Sequence, residues 1–558
     1  MICWCMRRRN EEKTKAAAVA ACRLHWAVAE RCDHDVVKAL ALRHDLDAVC
    51  CVDYVSLFTD FFEYLLRIGV WKKVATLVPE GKKRFIIGTL PYVMIYMQKL
   101  IAGLPSMNAA EEVLLTDEAA MRVVGFNAHQ IKDGISMRGR HRRKDGGSPG
   151  RPVAADTLGE NVSAIGMEAV TDLFNHAVQM LAAQGVFPKE VTVALDPTDI
   201  ETPKGFGGAG SVTRKKKLMD KRGHLTTVEV TVWGFRLIVV METKTRIPVA
   251  AKLVQIQENG VKYWKEMITQ AQKNLEGHAK IKTVVADREF VDGEIMWWVN
   301  EQGMGFVIPG KSNMDVTCEA RQRMRQACEG TFSDGTTRRE RMVQVKRGQG
   351  KEQWVETLAT VVWGIEGLAG LDTYGPSAEC AKKHRKNARG HALNAVVVDT
   401  WNNKQARENE EVVFLTNLPV KNALRAYDLY DERSLIETPL NKEAKQNWHL
   451  SKPPQRTEHA MHNHAFMVLM LMGLTRAYRQ YQANLEADPH EKNPAADPLG
   501  FRRWRRQIER ENADKVIVFV DGKFAVLHLA EFTVLVSDIR IRGSTTRDMV
   551  LAKYGVTL

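Results

Sequence analysis

The sequence predicts an α/β fold in which a mixed β-sheet carries helices on both faces. Three runs rich in β-branched and apolar residues, at 191–195, 225–240 and 249–256, predict adjacent strands joined by hairpins. The segments that follow are a helix at 261–275, a strand at 281–286, a helix at 292–302 and a strand at 305–309. An antiparallel start followed by crossover helices is typical of a mixed sheet.

Length and charge set the class of protein and of partner. A chain of 558 residues is too long for one ordinary core, so we expect three or four domains, or one domain with large insertions. The 80 Lys and Arg residues exceed the 67 Asp and Glu residues, which gives a net charge of +13 and a pI near 9.2. A large basic protein usually binds a polyanion, nucleic acid first.

Apolar runs and cysteines predict a cytoplasmic protein with no membrane partner. The longest clean apolar run, 465–474, is shorter than the roughly 18 residues that a membrane-spanning helix needs. The start of the sequence has no long apolar core of the kind found in a signal peptide. Nine cysteines, an odd count without a CxxC pair, indicate reduced thiols rather than a disulfide framework.

Residues 1–150 predict a helical N-terminal module that ends in a basic linker. Residues 54–70 repeat apolar side chains every three or four positions, as in an amphipathic helix. Residues 137–152, MRGRHRRKDGGSPGRP, join basic side chains to Gly and Pro, so we place a domain boundary near 150. DNA binding by a helix-turn-helix and simple helix packing both remain open for this module.

The remaining chain predicts a main domain at 151–480 and a basic C-terminal region at 481–558. Residues 311–411 are rich in Thr, Arg, Gly and Trp and predict a β-rich insertion, after which 412–416 resumes the sheet. The C-terminal region predicts a basic helix at 501–510 and a hairpin at 516–529 that turns on Asp521 and Gly522. DNA binding and solvent exposure are equally compatible with that basic helix.

Two carboxylates follow predicted strands in matching positions. Asp196 comes directly after the strand at 191–195, and Pro197 should end that strand, while Asp287 follows the strand at 281–286. Parallel neighbours would bring the two acids to the same edge of the sheet, where open α/β sheets place their sites. A basic run at 214–217, in the glycine-rich loop predicted soon afterwards, favours contact with phosphate.

A third acid is expected from a helix packed on the sheet. Tyr430, Arg433 and Glu437 fall at i, i+3 and i+7 of a helical pattern, which places them along one face. Other acids flank the two aspartates, and we expect them to be turn or helix-start residues rather than ligands. These are Asp199, Glu201, Glu289 and Asp292. For the HxxHxH segment at 459–464 we favour phosphate or core contacts over a metal site.

Residues 120–475 resemble the DDE transposases of bacterial insertion sequences, which have the ribonuclease-H-like fold shared with retroviral integrases. The resemblance rests on D-x-T-x-I at Asp196, D-R-x-F at Asp287 and Tyr-x2-Arg-x3-Glu at 430–437. The last motif marks a subgroup whose full form adds six residues and a Lys. That position is Ala444 here and Lys445 follows it one residue late; a kink at Pro439 could shift the helical phase enough for Lys445 to serve. The gap of 437 − 287 = 150 residues also resembles the subgroup, which has a β-rich insertion there.

The resemblance implies a metal-dependent enzyme acting on double-stranded DNA. Asp196, Asp287 and Glu437 would be the catalytic residues and would bind two Mg²⁺ (or Mn²⁺) ions, which prefer hard oxygen ligands. The side chains expected to contact DNA phosphate near the scissile bond are Tyr430, Arg433 and Lys445. The implied activity is cleavage at transposon ends and strand transfer into target DNA. The implied assembly is a homodimer on paired ends, in the bacterial cytoplasm and associated with the nucleoid.

Two other functions remain open. One is a ribonuclease-H-like, structure-selective endonuclease that cuts DNA without joining it. The other is a transposase-derived DNA-binding protein without catalytic activity. The presence of Asp196, Asp287 and Glu437 argues against an inactive binder, whereas the displaced Lys445 is compatible with one.

Overall fold

The computed structural model describes residues 29–44, 46–52, 55–80, 87–133, 153–219, 225–331, 334–347, 354–371, 373–375, 393–401, 411–486, 500–537 and 545–558. By its contacts the chain forms two compact units. The terminal unit takes its residues from 1–181, 204–208 and 444–558, and the central unit from 182–203 and 209–443. The predicted segments 1–150, 151–480 and 481–558 divide the chain differently, because the first and the last both fall in the terminal unit.

The described strands are, in chain order, β1 (Glu30–Arg31), β2 (Ala48–Cys51), β3 (Glu190–Thr202), β4 (Gly210–Met219), β5 (Leu225–Glu242), β6 (Pro248–Gln255), β7 (Lys280–Ala286), β8 (Gly305–Pro309), β9 (Thr336–Arg347), β10 (Trp354–Leu368), β11 (Leu393–Trp401), β12 (Val412–Thr416), β13 (Lys515–Val520) and β14 (Lys523–His528).

The described α-helices are α1 (Asp33–Ala41), α2 (Val55–Arg67), α3 (Val70–Val74), α4 (Thr89–Ile101), α5 (Met107–Val113), α6 (Glu118–Val123), α7 (Ala128–Asp133), α8 (Ala155–Ser163), α9 (Met167–Ala183), α10 (Trp264–Leu275), α11 (Gly293–Glu301), α12 (Asp315–Cys328), α13 (Ala423–Glu437), α14 (Glu458–Glu486), α15 (Phe501–Glu511), α16 (Leu529–Val536) and α17 (Thr545–Lys553). A π-helix, Thr438–Asn447, follows α13. No helix in these described ranges is long and apolar enough to cross a membrane.

The central unit is organised around a mixed sheet with the predicted strand order. Its core runs β6-β5-β3-β7-β8; β5 is antiparallel to both of its neighbours, β6 and β3, whereas β3, β7 and β8 are parallel. Helices α10 and α11 make the crossovers between β6, β7 and β8, as parallel connections require. This order and these directions are those of a ribonuclease-H-like sheet, so the predicted fold class is confirmed.

The insertion extends this sheet. After β8 the described sheet continues as β12-β11-β10-β9, with each of these strands antiparallel to its neighbour, and reaches ten strands in total. Strands β9, β10 and β11 lie in the predicted β-rich insertion, and the predicted strand 412–416 is β12. The helix α12 was missing from the prediction, because its many charged residues, DVTCEARQRMRQAC, gave no strong apolar pattern.

Two local predictions about the first strands were wrong. Strand β3 does not end at Pro197 but continues to Thr202, paired with β5 through Pro197 opposite Ile238. Pairing with β7 stops at Leu195 opposite Ala286, so Pro197, which has no N–H, lies where one neighbouring strand is absent. The basic run 214–217 is not in a loop but in β4, which pairs with the first half of β5. Lysines are common on such incompletely paired strands because they discourage aggregation.

The N-terminal module was predicted to be entirely helical, and this prediction was wrong. Strands β1 and β2 join the hairpin β13–β14 in a sheet with the order β1-β14-β13-β2. Their lengths of two and four residues are too short to give a periodic pattern. The C-terminal hairpin was predicted correctly, and its turn residues Asp521 and Gly522 have φ values of 48° and 73°, as a type I′ turn requires.

The HxxHxH segment supplies core contacts in the terminal unit. Tyr96 donates a hydrogen bond to Nδ1 of His464 over 2.8 Å, and Nε2 of His464 donates to the carbonyl of His449 over 2.9 Å. The ring of His462 stacks on Phe466 with 4.3 Å between centroids. Both bonds of His464 are those of a neutral imidazole, since one ring nitrogen accepts and the other donates.

We expect acid to destabilise the protein through His464. Burial, with a contribution from the charge of Lys99, lowers the pKa of His464 to about 3. Below about pH 6.5 the unfolded chain takes up a proton that the folded protein does not. Stability is therefore lost as the pH falls from about 6.5 toward 3, by up to about 1.4 kcal/mol per pH unit from this group.

The measurement is the free energy of urea unfolding at pH 7 and pH 5, compared between the wild-type protein and His464→Gln. The glutamine amide can accept from Tyr96 and donate to the His449 carbonyl, but it does not titrate. The variant should show a shallower pH dependence. Equal slopes for the two proteins would contradict the assignment of this titration to His464.

Candidate active site

The two predicted aspartates lie side by side in the central unit. Leu195 pairs in parallel with Ala286, and Asp196 and Asp287 are the residues that follow this pair in the two chain segments. Asp196 is buried, with 7% of its side chain exposed, whereas 37% of the Asp287 side chain is exposed. The structure thus brings together the two carboxylates that the strand ends predicted, and it buries Asp196 while leaving Asp287 partly exposed.

Arg433 of α13 lies between these carboxylates. Its Nη2 is 3.1 Å from Oδ1 of Asp196 and 3.5 Å from Oδ2 of Asp287. The guanidinium is buried, with only 9% of the side chain exposed. Two neighbouring carboxylates repel each other, and a single buried cation in contact with both offsets that repulsion.

The position of Arg433 is supported by aromatic rings. Its Cζ lies 5.6 Å from the ring centroid of Tyr430, one helical turn earlier. The Tyr430 ring in turn packs on Phe414 of β12, with 4.4 Å between centroids. The helical face predicted for Tyr430 and Arg433 therefore reaches the sheet at the site, and Tyr430 contacts the arginine directly.

The orientation of Asp287 is fixed by the turn that follows β7. Its Oδ1 accepts a hydrogen bond from the backbone N–H of Arg288 over 2.7 Å, at the start of the short 3₁₀ helix Arg288–Phe290. Phe290 is fully buried and packs edge-on against Trp264, with centroids 6.0 Å apart. One carboxylate oxygen is thus used by the backbone while the other faces Arg433.

The third acid and the lysine lie further along the same helical segment. Glu437 is the last residue of α13, and its side chain lies outside the described residues. The π-helix begins at the next residue and contains Ala444, which is buried, and Lys445, which is half-buried. A π-helix takes up more residues per turn than an α-helix. The wider π-helical turn therefore offsets the one extra residue that separates Lys445 from the position where the motif has its lysine.

Asp199, Arg214 and Arg236 form a second network of charged side chains in the central unit. Arg236 of β5 donates from Nε to Oδ1 of Asp199 over 3.0 Å, and Arg214 also pairs with Asp199. Although burial opposes it, these arginine hydrogen bonds hold the pKa of Asp199 below its usual range. The Arg236 Nη1 is 4.0 Å from Oε1 of Glu289, whose pKa is raised by burial and by nearby carboxylates.

This network could not be predicted from the sequence because it depends on strand pairing. Asp199 lies opposite Arg236 in the β3–β5 register, across a separation of 37 residues. A correct register would have indicated the pair, but the predicted end of β3 at Pro197 hid it. The network makes Asp199 a partner of arginines rather than an isolated turn residue.

The donor set suits a hard divalent cation. Oxygens of Asp196 and Asp287 converge on one Arg433 nitrogen, so they also converge on a point where a positively charged group is favourable. Within the described ranges no group of three His, Cys, Asp or Glu side chains could hold a metal ion. A third ligand from α13 would have to be Glu437, whose side chain is not among them.

A ribonuclease-H-like sheet that brings two carboxylates together where neighbouring parallel strands stop pairing is typical of proteins that act on nucleic-acid phosphodiesters. The family model described as "Transposase DDE domain" matches residues 187–474, more than half of the chain. The chain belongs to the DDE transposase family.

No curated protein matches the sequence. Among solved structures, the cryo-EM structure of a piggyBac transposase synaptic complex with hairpin DNA is similar to this chain at 10% identity. The alignment covers 86% of this chain and 88% of that one, with a TM-score of 0.32.

Proposed function

We propose that this transposase cleaves DNA at the ends of its own element with divalent metal ions, and joins the freed 3′-hydroxyls to target DNA. The observation that carries the proposal is the convergence of Asp196 and Asp287 on Arg433. The site joins two hard anionic ligands to a side chain suited to phosphate, which is what phosphodiester chemistry requires.

The metal ligands in this proposal are Asp196, Asp287 and Glu437, with Mg²⁺ or Mn²⁺ as the ions. When bound, two such ions supply activation of the attacking oxygen and stabilisation of the leaving oxygen. The protein itself positions the two carboxylates. The backbone bond to Asp287 Oδ1 leaves Oδ2 directed into the site, and the burial of Asp196 keeps its carboxylate from competing solvent.

DNA phosphate beside the scissile bond is proposed to contact Tyr430, Arg433 and Lys445. Arg433 presents a planar, permanently charged fork that pairs with oxygen anions, and in this structure those anions are carboxylates. Position 444, where the Tyr-Arg-Glu-Lys subgroup of bacterial insertion sequences has its lysine, is an alanine here. The π-helix, with more residues per turn, supports Lys445 in that role. A homodimer on paired element ends, in the bacterial cytoplasm, completes the proposal.

The test is a cleavage and joining assay on labelled DNA ends of the element, in the presence of Mg²⁺. Nicked ends together with joined target DNA are expected. Nicking without joining would instead support the structure-selective endonuclease. Binding without either reaction would support the inactive DNA-binding protein, and both outcomes would overturn the proposed transposition activity.

A further inference from the structure

We propose that a basic cluster in the terminal unit, Lys99, Lys452, Arg502 and Arg505, binds the phosphate backbone of double-stranded DNA. The proposal rests on the proposed function, which supplies the DNA, but it concerns residues that belong to no catalytic motif. The cluster surrounds the turn that follows α4, at Gly103. Its members come from three separate segments of the chain.

Two arginines of α15 form one side of the cluster. Arg502 donates from Nε to the side-chain oxygen of Asn447 over 2.7 Å. Arg505, one turn later, packs its guanidinium on the backbone of Gly103, where a Cβ atom would lie 2.5 Å from Nη1. Gly103 has φ of 66°, so the turn favours a glycine at this position. Both guanidinium groups are thus held near the same backbone turn.

The segment around His449 forms the other side. His449 donates from Nε2 to the carbonyl of Gly103 over 3.0 Å, and its own carbonyl accepts from the backbone N–H of Lys452 over 2.8 Å. The Lys452 side chain is exposed. Burial, followed by the charges of Lys99, Lys452 and Arg502, lowers the pKa of His449. Lys99, Lys452 and Arg502 are therefore all close enough to His449 to act on it.

Lys99 lies beneath this surface. It is 1% exposed, and its Nζ has no hydrogen-bond partner within the described residues. Nζ is 5.5 Å from the ring centroid of Tyr96. Burial, together with the charge of Lys452, lowers the pKa of Lys99 to about 8. A buried ammonium without a partner is costly, and it adds positive potential to the surface above it.

The charges of the cluster have no internal compensation. Among the residues that the structure describes, no carboxylate forms an ion pair with any of the four cations. Arginine forks and lysines without paired acids are the groups that neutralise phosphates. The aromatic residues of α15, Phe501 and Trp504, are buried, so the surface has no ring from this helix on which a base could stack. These features favour binding to the DNA phosphate backbone, and such binding does not depend on the base sequence.

The test compares two triple variants with the same charge change. Lys452→Gln/Arg502→Gln/Arg505→Gln removes the cluster surface, and Arg503→Gln/Arg506→Gln/Arg510→Gln removes three exposed arginines from the outer face of α15. Binding of a fluorescent DNA duplex is measured in EDTA over a range of salt concentrations. The cluster variant should bind on the order of 100-fold more weakly at about 0.1 M salt, with a salt slope smaller by about 2–3. The control should lose less than about threefold.

Equal losses in the two triple variants, or no loss in the cluster variant, would overturn the proposal while leaving wild-type cleavage intact. A wild-type protein that neither binds nor cuts DNA would instead overturn the proposed function.

Lys99→Met gives an independent readout. It should raise the melting temperature by removing a buried unpaired charge and should weaken duplex binding several-fold. A higher melting temperature with unchanged binding would remove Lys99 from the site.

Discussion

Asp196→Asn is expected to lower DNA cleavage by about 10³-fold or more while leaving duplex binding unchanged. The substitution keeps the size of the side chain and an oxygen that can accept the hydrogen bond from Arg433, so the fold should be preserved. It removes the negative charge that a divalent ion needs at the buried end of the site. Cleavage of labelled element ends in Mg²⁺ and duplex binding in EDTA are the two measurements.

Glu190→Gln is the matched control for this variant. Glu190 is an exposed acid at the start of the same strand, six residues before Asp196, and it pairs with Lys282 at the surface. Its loss should affect cleavage by less than about twofold, since exposed ion pairs contribute little. Full cleavage by Asp196→Asn would refute the assignment of Asp196 as a metal ligand, whatever the control shows.

The sheet core could be predicted because its strands are long and nearly continuous in apolar residues. The runs at 191–195, 225–240 and 281–286 each fall inside an observed strand. Their order also follows from general rules, since hairpins join antiparallel neighbours and helices join parallel ones. The edges of the folded units were less predictable, because short strands such as β1 and the charged β4 lack an apolar period.

The pairing of Asp196 with Asp287 could be predicted because it needs only two parallel strands of known direction. The contact of Arg433 with both aspartates could not. Helical spacing places Arg433 on a face with Tyr430, but the depth to which its side chain reaches depends on how α13 packs against Phe414 and the strand ends. That packing is a tertiary property, which the local pattern does not contain.

Arg433→Gln is expected to destabilise the protein and to abolish cleavage. The change leaves Asp196 and Asp287 adjacent without their shared counter-charge, and breaking a buried ion pair on one side costs about 3–5 kcal/mol. Loss of the Arg433 charge should also make the site bind a divalent cation more tightly, since no other charge then offsets the repulsion between the two carboxylates. Thermal unfolding of the variant and of the wild-type protein is measured with EDTA and with Mg²⁺.

Mg²⁺ should therefore raise the melting temperature of Arg433→Gln by more than that of the wild-type protein. Arg425→Gln, an exposed arginine on the same helix, should show neither the loss of stability nor the larger response to Mg²⁺. An unchanged stability of Arg433→Gln would mean that the ion pairs do not form in solution. A destabilised variant without the added Mg²⁺ response would mean that the two aspartates hold the arginine but do not share a metal ion. The stability in EDTA thus reports the structural role of Arg433, and the response to Mg²⁺ reports metal binding by the carboxylates. Only the response to Mg²⁺ requires a metal ion to take the place of the guanidinium.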